Sequence, residues 1–240
     1  PGSSEATKAL FGLYLRQKKI EKAEQILVAH VDRHPEDISV MVMLGNLYTD
    51  LQRIDAAERI FLKAMEVDPD NINPYMLLSR IYNGTKRKDQ AEKFILKAIA
   101  IEPDNFALKN TLAEFYLVNQ KIEKSVQIVD EILSKRPDFI PSRLLRARLY
   151  NMKQQPGEAV KIYRALVKEE PESDRYNLLL GTALLRQNDL SGAKTHIAKA
   201  LSVNPNLLRA RLLMADLHFR NKDFIIAKAD TEQVLKSQPD

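Results

Sequence analysis

The stretch AEKFILKAIAIEP, residues 91–103, decides the fold of this chain. Its apolar residues recur with the i, i+3, i+4 and i+7 spacing of a helix face. Pro103 ends the stretch, because proline lacks an amide hydrogen and disfavours helical backbone in the residue before it. Pro103 belongs to a series of prolines that are 34 residues apart: Pro35, Pro69, Pro103, Pro137, Pro171, Pro205 and Pro239. A constant period of this length is typical of a stacked repeat array.

Each repeat is predicted to form two antiparallel helices. An apolar-periodic stretch such as 38–51 leads to a polar turn, Gln52-Arg53, and a second periodic stretch then runs to the proline. Asp and Asn residues after the prolines are predicted to cap the next helix. Residues 1–3 are interpreted as a remnant of tag cleavage. Residues 4–240 are predicted to form a single array with repeats 4–37, 38–71, 72–105, 106–139, 140–173, 174–207 and 208–240.

Two positions in the repeat indicate how the helices pack. Small residues predominate at one position of the first helix, where close helix approach is expected: Phe11, Gly45, Ser79, Ala113, Ala147, Gly181 and Ala215. Three residues further on stands a ladder that is mostly tyrosine: Tyr14, Tyr48, Tyr82, Tyr116, Tyr150, Leu184 and His218. A tyrosine there can fill the space between repeats while its hydroxyl reaches a polar partner.

These positions resemble tandem tetratricopeptide repeats over essentially the whole chain. The second repeat carries the pattern as Met41, Leu44, Gly45, Tyr48, Ala57, Phe61, Ala64 and Pro69. The resemblance implies an all-α, right-handed superhelical α-solenoid of antiparallel helix pairs, and a piece of a longer bacterial repeat protein. The chain departs from the pattern at Phe11, at His30, which takes an alanine position, and at Arg146, which takes a leucine position. Leu145 or Leu149 is expected to supply the packing near Arg146.

Composition and motifs favour a binding protein over an enzyme. The chain has no cysteine, which excludes disulfides, thiolate metal sites and cysteine nucleophiles. His30 and His34 have i, i+4 spacing but no evident third ligand, and no phosphate loop or nucleophile elbow is present. We therefore expect no catalytic site, cofactor or metal. No apolar run is long enough to span a membrane. The compartment, cytoplasm or periplasm, stays open because a targeting segment could have been removed.

The positive charge is concentrated in the last three repeats. Residues 140–240 hold 17 Lys and Arg and 11 Asp and Glu, a net of +6, whereas the whole chain has a net charge of +5. This asymmetry indicates either a solvated basic surface or a field that attracts an acidic partner.

The family resemblance places the partner site in a concave groove lined by the first helices. The predicted groove residues are Asn46, Met76, Arg80, Asn110, Glu114, Leu144, Arg148, Arg175, Leu178, Thr182, Arg186, Arg209, Leu212, Asp216 and Arg220. Arginines in register above leucines predict a peptide segment or helix with apolar and acidic side chains. Single-stranded nucleic acid is disfavoured, because Tyr176 and Phe219 are the only aromatic residues near the basic end of the groove.

The sequence thus predicts a protein–protein interaction scaffold. Its overall pattern resembles that of long bacterial repeat proteins of envelope assembly, exopolysaccharide export or protein sorting. Two alternatives stay open: binding of nucleic acid or another anionic polymer by the basic repeats, and a structural spacer in a larger protein. The last repeat lacks a polar capping helix, so homo-oligomer contacts through the uncapped end are expected at Leu207, Leu212 or Val234.

Overall fold

The computed structural model describes residues 3–236, and this part of the chain contains fourteen α-helices and no strand. The first helices of the repeats are α1 (Ser4–Arg16), α3 (Ile38–Asp50), α5 (Ile72–Gly84), α7 (Phe106–Val118), α9 (Ile140–Met152), α11 (Asp174–Arg186) and α13 (Leu208–Arg220). The second helices are α2 (Ile20–Arg33), α4 (Ile54–Val67), α6 (Lys88–Ile101), α8 (Ile122–Lys135), α10 (Pro156–Glu169), α12 (Leu190–Val203) and α14 (Phe224–Lys236). The predicted tag remnant lies mostly outside the described residues.

The helices form two compact units, residues 1–115 (unit 1) and 116–240 (unit 2). Within unit 1, each helix from α1 to α6 packs on the next one along the chain, and within unit 2 the same holds from α8 to α14. The prediction of an all-α solenoid of helix pairs is therefore confirmed. None of the helices in residues 3–236 is long and apolar enough to cross a membrane.

The turn inside each repeat has one backbone conformation throughout the array. One non-glycine residue adopts a left-handed conformation, with φ between 56° and 65°, in every such turn: Lys18, Gln52, Lys86, Gln120, Gln154, Asn188 and Lys222. The next residue then donates its amide hydrogen to the carbonyl of the ladder residue five positions earlier, as Arg87 does to Tyr82 at 2.8 Å. This Schellman-type bond ends the first helix.

The turns between repeats follow the proline series. Every second helix from α2 to α12 ends two residues before its proline. Caps of the next first helix come from Asp37, Asn71, Asn105 and Ser173, whose side chains accept hydrogen bonds from amides in that helix. The prediction of Asp and Asn caps is thus confirmed for three helices, and a serine serves the same purpose at α11.

Glycine allows the closest helix approach inside the repeats. A Cβ added at Gly45 would lie 2.4 Å from Cε1 of Phe61, and one added at Gly181 would lie 2.6 Å from Cγ1 of Ile197. Phe61 and Ile197 are completely buried. The small positions therefore make room for the large side chain of the facing second helix, as the sequence predicts.

The departures from the repeat pattern are accommodated locally. His30 is buried, and its Nδ1 lies 2.9 Å from Thr7 Oγ1 while its Nε2 lies 3.0 Å from Asp37 Oδ2. Arg146 is partly exposed and pairs with Asp130. Leu145 and Leu149 are both buried nearby, which agrees with the expectation that they supply the packing there.

In unit 1, adjacent repeats are joined by a Glu–Tyr–Arg triad. The Tyr82 hydroxyl donates to Glu58 Oε1 at 2.6 Å, and Arg87 donates to Glu58 Oε2 at 3.0 Å while lying over the Tyr82 ring. Burial and the hydrogen bond with Glu58 raise the pKa of Tyr82 to about 12. Glu24 and Arg53 pair in the same way one repeat earlier. The triads link the second helix of one repeat to the first helix of the next.

Candidate functional site

Three leucines at equivalent repeat positions form the apolar part of the candidate surface in unit 2. Leu144, Leu178 and Leu212 lie on α9, α11 and α13, and we call them the leucine row. Leu144 and Leu178 are half-buried against the unit 2 core, whereas Leu212 is 46 % exposed. Leu145, which follows Leu144, turns further inward and is 1 % exposed. The leucine row thus lies at the edge of the core.

Four exposed arginines accompany the leucine row. They are Arg148, Arg175, Arg186 and Arg209, and we call them the unpaired arginines, because none makes an ion pair or a side-chain hydrogen bond with the described residues. Arg220 differs, because its Nε donates to Asp216 Oδ2 at 3.0 Å. Thr182 donates to the carbonyl of Leu178 at 2.7 Å. Unpaired guanidinium groups keep all their donors for an acidic partner.

Two of the unpaired arginines, Arg148 and Arg186, affect the pKa of Tyr163. Burial raises the pKa of Tyr163, and the positive charges of Arg186 and Arg148 oppose that rise. Tyr163 is 4 % exposed and stands at the repeat position of Phe61 and Ile197. The sequence therefore indicated a packing residue only. Its hydroxyl, which Phe61 and Ile197 lack, distinguishes it from them.

The predicted groove residues of unit 1 are less uniform. Asn46 Oδ1 is buried and has no hydrogen-bond donor among the described residues. Met76 is half-buried and Arg80 is exposed. Glu114 is also exposed, but Asn110 is only 6 % exposed, with its Nδ2 3.4 Å from Glu114 Oε1. The burial of Asn110 leaves it little surface for a partner, contrary to what its groove position indicates.

The C-terminal repeat exposes only part of the predicted apolar set, since Leu212 is exposed but its two companions are not. Val234 is 6 % exposed, so the expectation of an exposed contact there is wrong. It stands at the repeat position of the buried Ala200 and turns inward. Leu207 is half-buried, whereas Phe219 is 61 % exposed. Tyr176 is buried, which leaves Phe219 as the exposed member of the two predicted aromatic residues.

The part of the chain that the structure describes contains no group of three or more residues that could together hold a metal ion. The rings of His30 and His34 are 4.7 Å apart, and both ring nitrogens of His30 already have protein partners.

Comparison with known proteins gives one consistent result. Family models described as "Tetratricopeptide repeat" match residues 38–71 and 72–105, and also 89–149 and 151–217. No curated protein sequence matches. Solved structures are similar in fold at low identity. A tetratricopeptide repeat protein from Parabacteroides merdae has a TM-score of 0.71 and 16% identity, covering 97% of this chain and 92% of its own.

Two other solved structures have a similar fold at the same identity. PilW, a type IV pilus biogenesis factor, has a TM-score of 0.65 and 16% identity, covering 88% of this chain and 98% of its own. The APC/C hetero-tetramer Cut9–Hcn1 has a TM-score of 0.65 and 16% identity, covering 96% of this chain and 46% of its own. At these identities the likeness shows the fold alone.

Proposed function

Because this chain belongs to the tetratricopeptide repeat family, whose members serve as protein–protein interaction scaffolds, we propose that it binds a peptide segment or helix with apolar and acidic side chains on the first-helix face of unit 2. The observation that carries the proposal is the combination of the leucine row with the four unpaired arginines. Members of this family are typically scaffolds without catalytic activity. A setting in a bacterial envelope, export or sorting assembly stays a prediction.

The leucine row supplies affinity through partly exposed apolar surface. Full burial of a leucine is worth roughly 1.5–3 kcal/mol before the costs of association. Leu144 and Leu178 are already half-buried, so each contributes only part of that amount, and Leu212 has the most left to gain. Apolar side chains of the partner would therefore gain most near α13.

The unpaired arginines supply selectivity for acidic side chains. Arg148 and Arg186 both influence Tyr163, so their charges act on one region of the face. Arg175 and Arg209 occupy equivalent positions on α11 and α13. A guanidinium group binds a carboxylate through two parallel hydrogen bonds, which fixes geometry as well as charge. Acidic side chains at helical or extended spacing would match these positions.

The face of unit 1 is a second candidate location for partner contacts. The buried Oδ1 of Asn46 needs a donor, which a peptide amide or a water molecule could supply. Arg80 is exposed at the equivalent position one repeat later. These two residues support contacts with a partner backbone and an acidic group, respectively.

The test is a fluorescence anisotropy titration with a peptide of alternating leucine and glutamate and a charge-reversed leucine and lysine peptide. We expect the acidic peptide to bind more tightly, and the Leu178→Asp/Leu212→Asp and Arg175→Glu/Arg209→Glu variants each to weaken it at least tenfold. The matched controls lie on second helices. They are Leu96→Asp, because Leu96 is as exposed as Leu212, and Lys168→Glu/Lys194→Glu. Unchanged binding in both groove variants would refute the proposal.

The anionic-polymer alternative is distinguished in the same assay. An oligothymidine probe should bind weakly to this chain, because Phe219 is the only exposed aromatic residue of the two predicted near the groove. Binding of that probe that is tighter than peptide binding and falls steeply between about 50 and 200 mM salt would favour the alternative. Failure of every probe would favour the spacer hypothesis.

A further inference from the structure

One face of α14 carries apolar and charged residues in a helical stripe. Ile225, Lys228, Glu232 and Leu235 follow one another at i, i+3, i+7 and i+10, which places them on one side of the helix. Ile225 is 88 % exposed and Leu235 is 68 % exposed. We call these four residues the α14 stripe.

The isoleucine of the stripe is exceptional within the array. The six other repeats carry a polar residue or glycine at its position, and all of them are exposed: Glu21, Asp55, Asp89, Glu123, Gly157 and Ser191. Exposure at this position is therefore common to every repeat, and the exceptional feature of Ile225 is its apolar side chain. An isoleucine at a position that faces solvent throughout the array adds apolar surface without any packing gain inside the chain.

The stripe continues into a groove between α13 and α14. The groove has a volume of about 540 Å³, and its lining includes Leu212, Phe219 and Phe224. Phe219 is 61 % exposed, whereas Leu185, its equivalent one repeat earlier, is 5 % exposed. Together with Ile225 and Leu235 these side chains expose roughly 600 Å² of apolar surface, close to the roughly 800 Å² that each partner contributes to a standard interface.

We propose that two copies of this chain associate through α13 and α14, with their α14 helices antiparallel and related by a two-fold axis near residue 230. A register that sets Lys228 opposite Glu232 of the second copy also sets Leu235 opposite Ile225 of the second copy, because both pairs are centred on residue 230. Each contact occurs twice in such an isologous interface. The stripe is thus complementary to itself in both charge and apolar character.

The ion pair inside the stripe is free to rearrange. Lys228 and Glu232 of one chain are 3.8 Å apart, and both are exposed. An exposed i, i+4 pair of this kind contributes little to stability. Exchanging it for two ion pairs between copies therefore costs little.

Head-to-tail stacking of copies is disfavoured by charge. Lys228 occupies the repeat position of Glu24 and Glu58, which bind Arg53 and Arg87 of the following repeat. The first repeat has Lys19 at the position of Arg53. If the first repeat of a second copy stacked on α14, its Lys19 would lie against Lys228.

The first test measures the mass of the chain by light scattering and sedimentation equilibrium at about 1–200 μM. A concentration-dependent dimer is expected, and Ile225→Ser, which introduces the residue of the sixth repeat, should weaken it at least tenfold. Ile226→Ser is the matched control, because Ile226 is 49 % exposed but lies roughly 100° around α14 from Ile225, on the flank away from the α14 stripe. Circular dichroism confirms that each variant is folded. A monomer at about 200 μM overturns the proposal.

The second test checks the register. Lys228→Glu alone and Glu232→Lys alone should each dissociate the dimer, because like charges then meet across the axis. An equimolar mixture of the two variants, and the double variant with both changes, should associate again. Dimers that are insensitive to these changes but abolished by Leu10→Asp at the first repeat would overturn the two-fold arrangement in favour of head-to-tail stacking.

The dimer and the peptide site are separable. Leu212 belongs to both surfaces, whereas Leu178 and Ile225 each belong to one. Loss of peptide binding in a Leu178→Asp variant that still dimerises concerns only the proposed function. Loss of the dimer in an Ile225→Ser variant that still binds peptide concerns only the association.

Discussion

The contact between Gly45 and Phe61 predicts that Gly45→Ala lowers the stability of the fold. Gly45→Ala adds a methyl group 2.4 Å from the Phe61 ring, about 1 Å closer than ordinary van der Waals contact. Phe61 is completely buried, so its ring can move only against the core side chains that surround it. Overpacking of this severity costs about 3 kcal/mol, and the higher helix propensity of alanine offsets about 1 kcal/mol of it. We therefore expect a net destabilisation of about 2 kcal/mol.

Gly12→Ala is the matched control for this change. Gly12 lies inside α1, and an added Cβ there would meet no atom within 4 Å. The same substitution should therefore stabilise the protein by about 1 kcal/mol through helix propensity alone. Thermal and urea unfolding followed by circular dichroism at 222 nm measures both, and the expected melting temperature of Gly45→Ala is roughly 4–8 °C below that of the native chain.

A double variant tests the physical reason. In the next repeat the equivalent pair is Ser79 and Ile95, both buried, so a Cβ is accommodated beside an isoleucine in that repeat, although Gly181 and Ile197 pack too closely for one. Gly45→Ala/Phe61→Ile should therefore be more stable than the sum of the two single effects by at least about 1 kcal/mol. A neutral or stabilising Gly45→Ala change, or additive effects in the double variant, would refute the argument that close approach requires the glycine.

Three further predictions follow from side-chain geometry. Tyr82→Phe removes a 2.6 Å hydrogen bond to Glu58 and should lower the free energy of unfolding by about 1–2 kcal/mol. Because the pKa of Tyr82 is about 12 in the folded state and about 10 in the unfolded state, the stability of the native protein should fall from about pH 10 upward. Urea titrations at several pH values should show a less steep fall in the variant. Lys86→Gly relieves a left-handed non-glycine residue with φ 62° and should raise stability by about 0.5–1 kcal/mol, so a lower melting temperature would contradict the turn geometry. Arg186→Gln removes a charge that favours the phenolate and should raise the pKa of Tyr163 further, as measured by ultraviolet titration.

The period of the sequence was sufficient to predict the helices, because it repeats strong local signals. Each proline from Pro35 to Pro205 stands two residues after the end of a second helix, and after four of these prolines the next residues include a side chain that caps the following helix. The left-handed turn residue was not predictable in this way. Lysine, glutamine and asparagine stand at that position, and lysine and glutamine carry no preference for positive φ.

Contacts between repeats were harder to predict than helices. Glu58 and Arg87 are 29 residues apart, and in the sequence each reads as a charge on a solvated helix face. At Asn110 the repeat position predicts a groove contact, whereas the burial of its side chain depends on the neighbouring side chains. Exposure at one repeat position varies along the chain, so the position within the repeat predicts the backbone conformation of a residue but not the surroundings of its side chain.

The two units differ in charge at one contact between repeats. In unit 1, Arg53 and Arg87 are held by glutamates of the preceding repeat. At the corresponding contact in unit 2, Val160 and Leu184 are both buried in the apolar core, so no charge is required there. The four unpaired arginines of unit 2 lie outside this contact and have no ion-pair partner among the described residues. Their charge therefore contributes no internal ion pair to the fold, which favours an acidic partner over a purely structural role for these side chains.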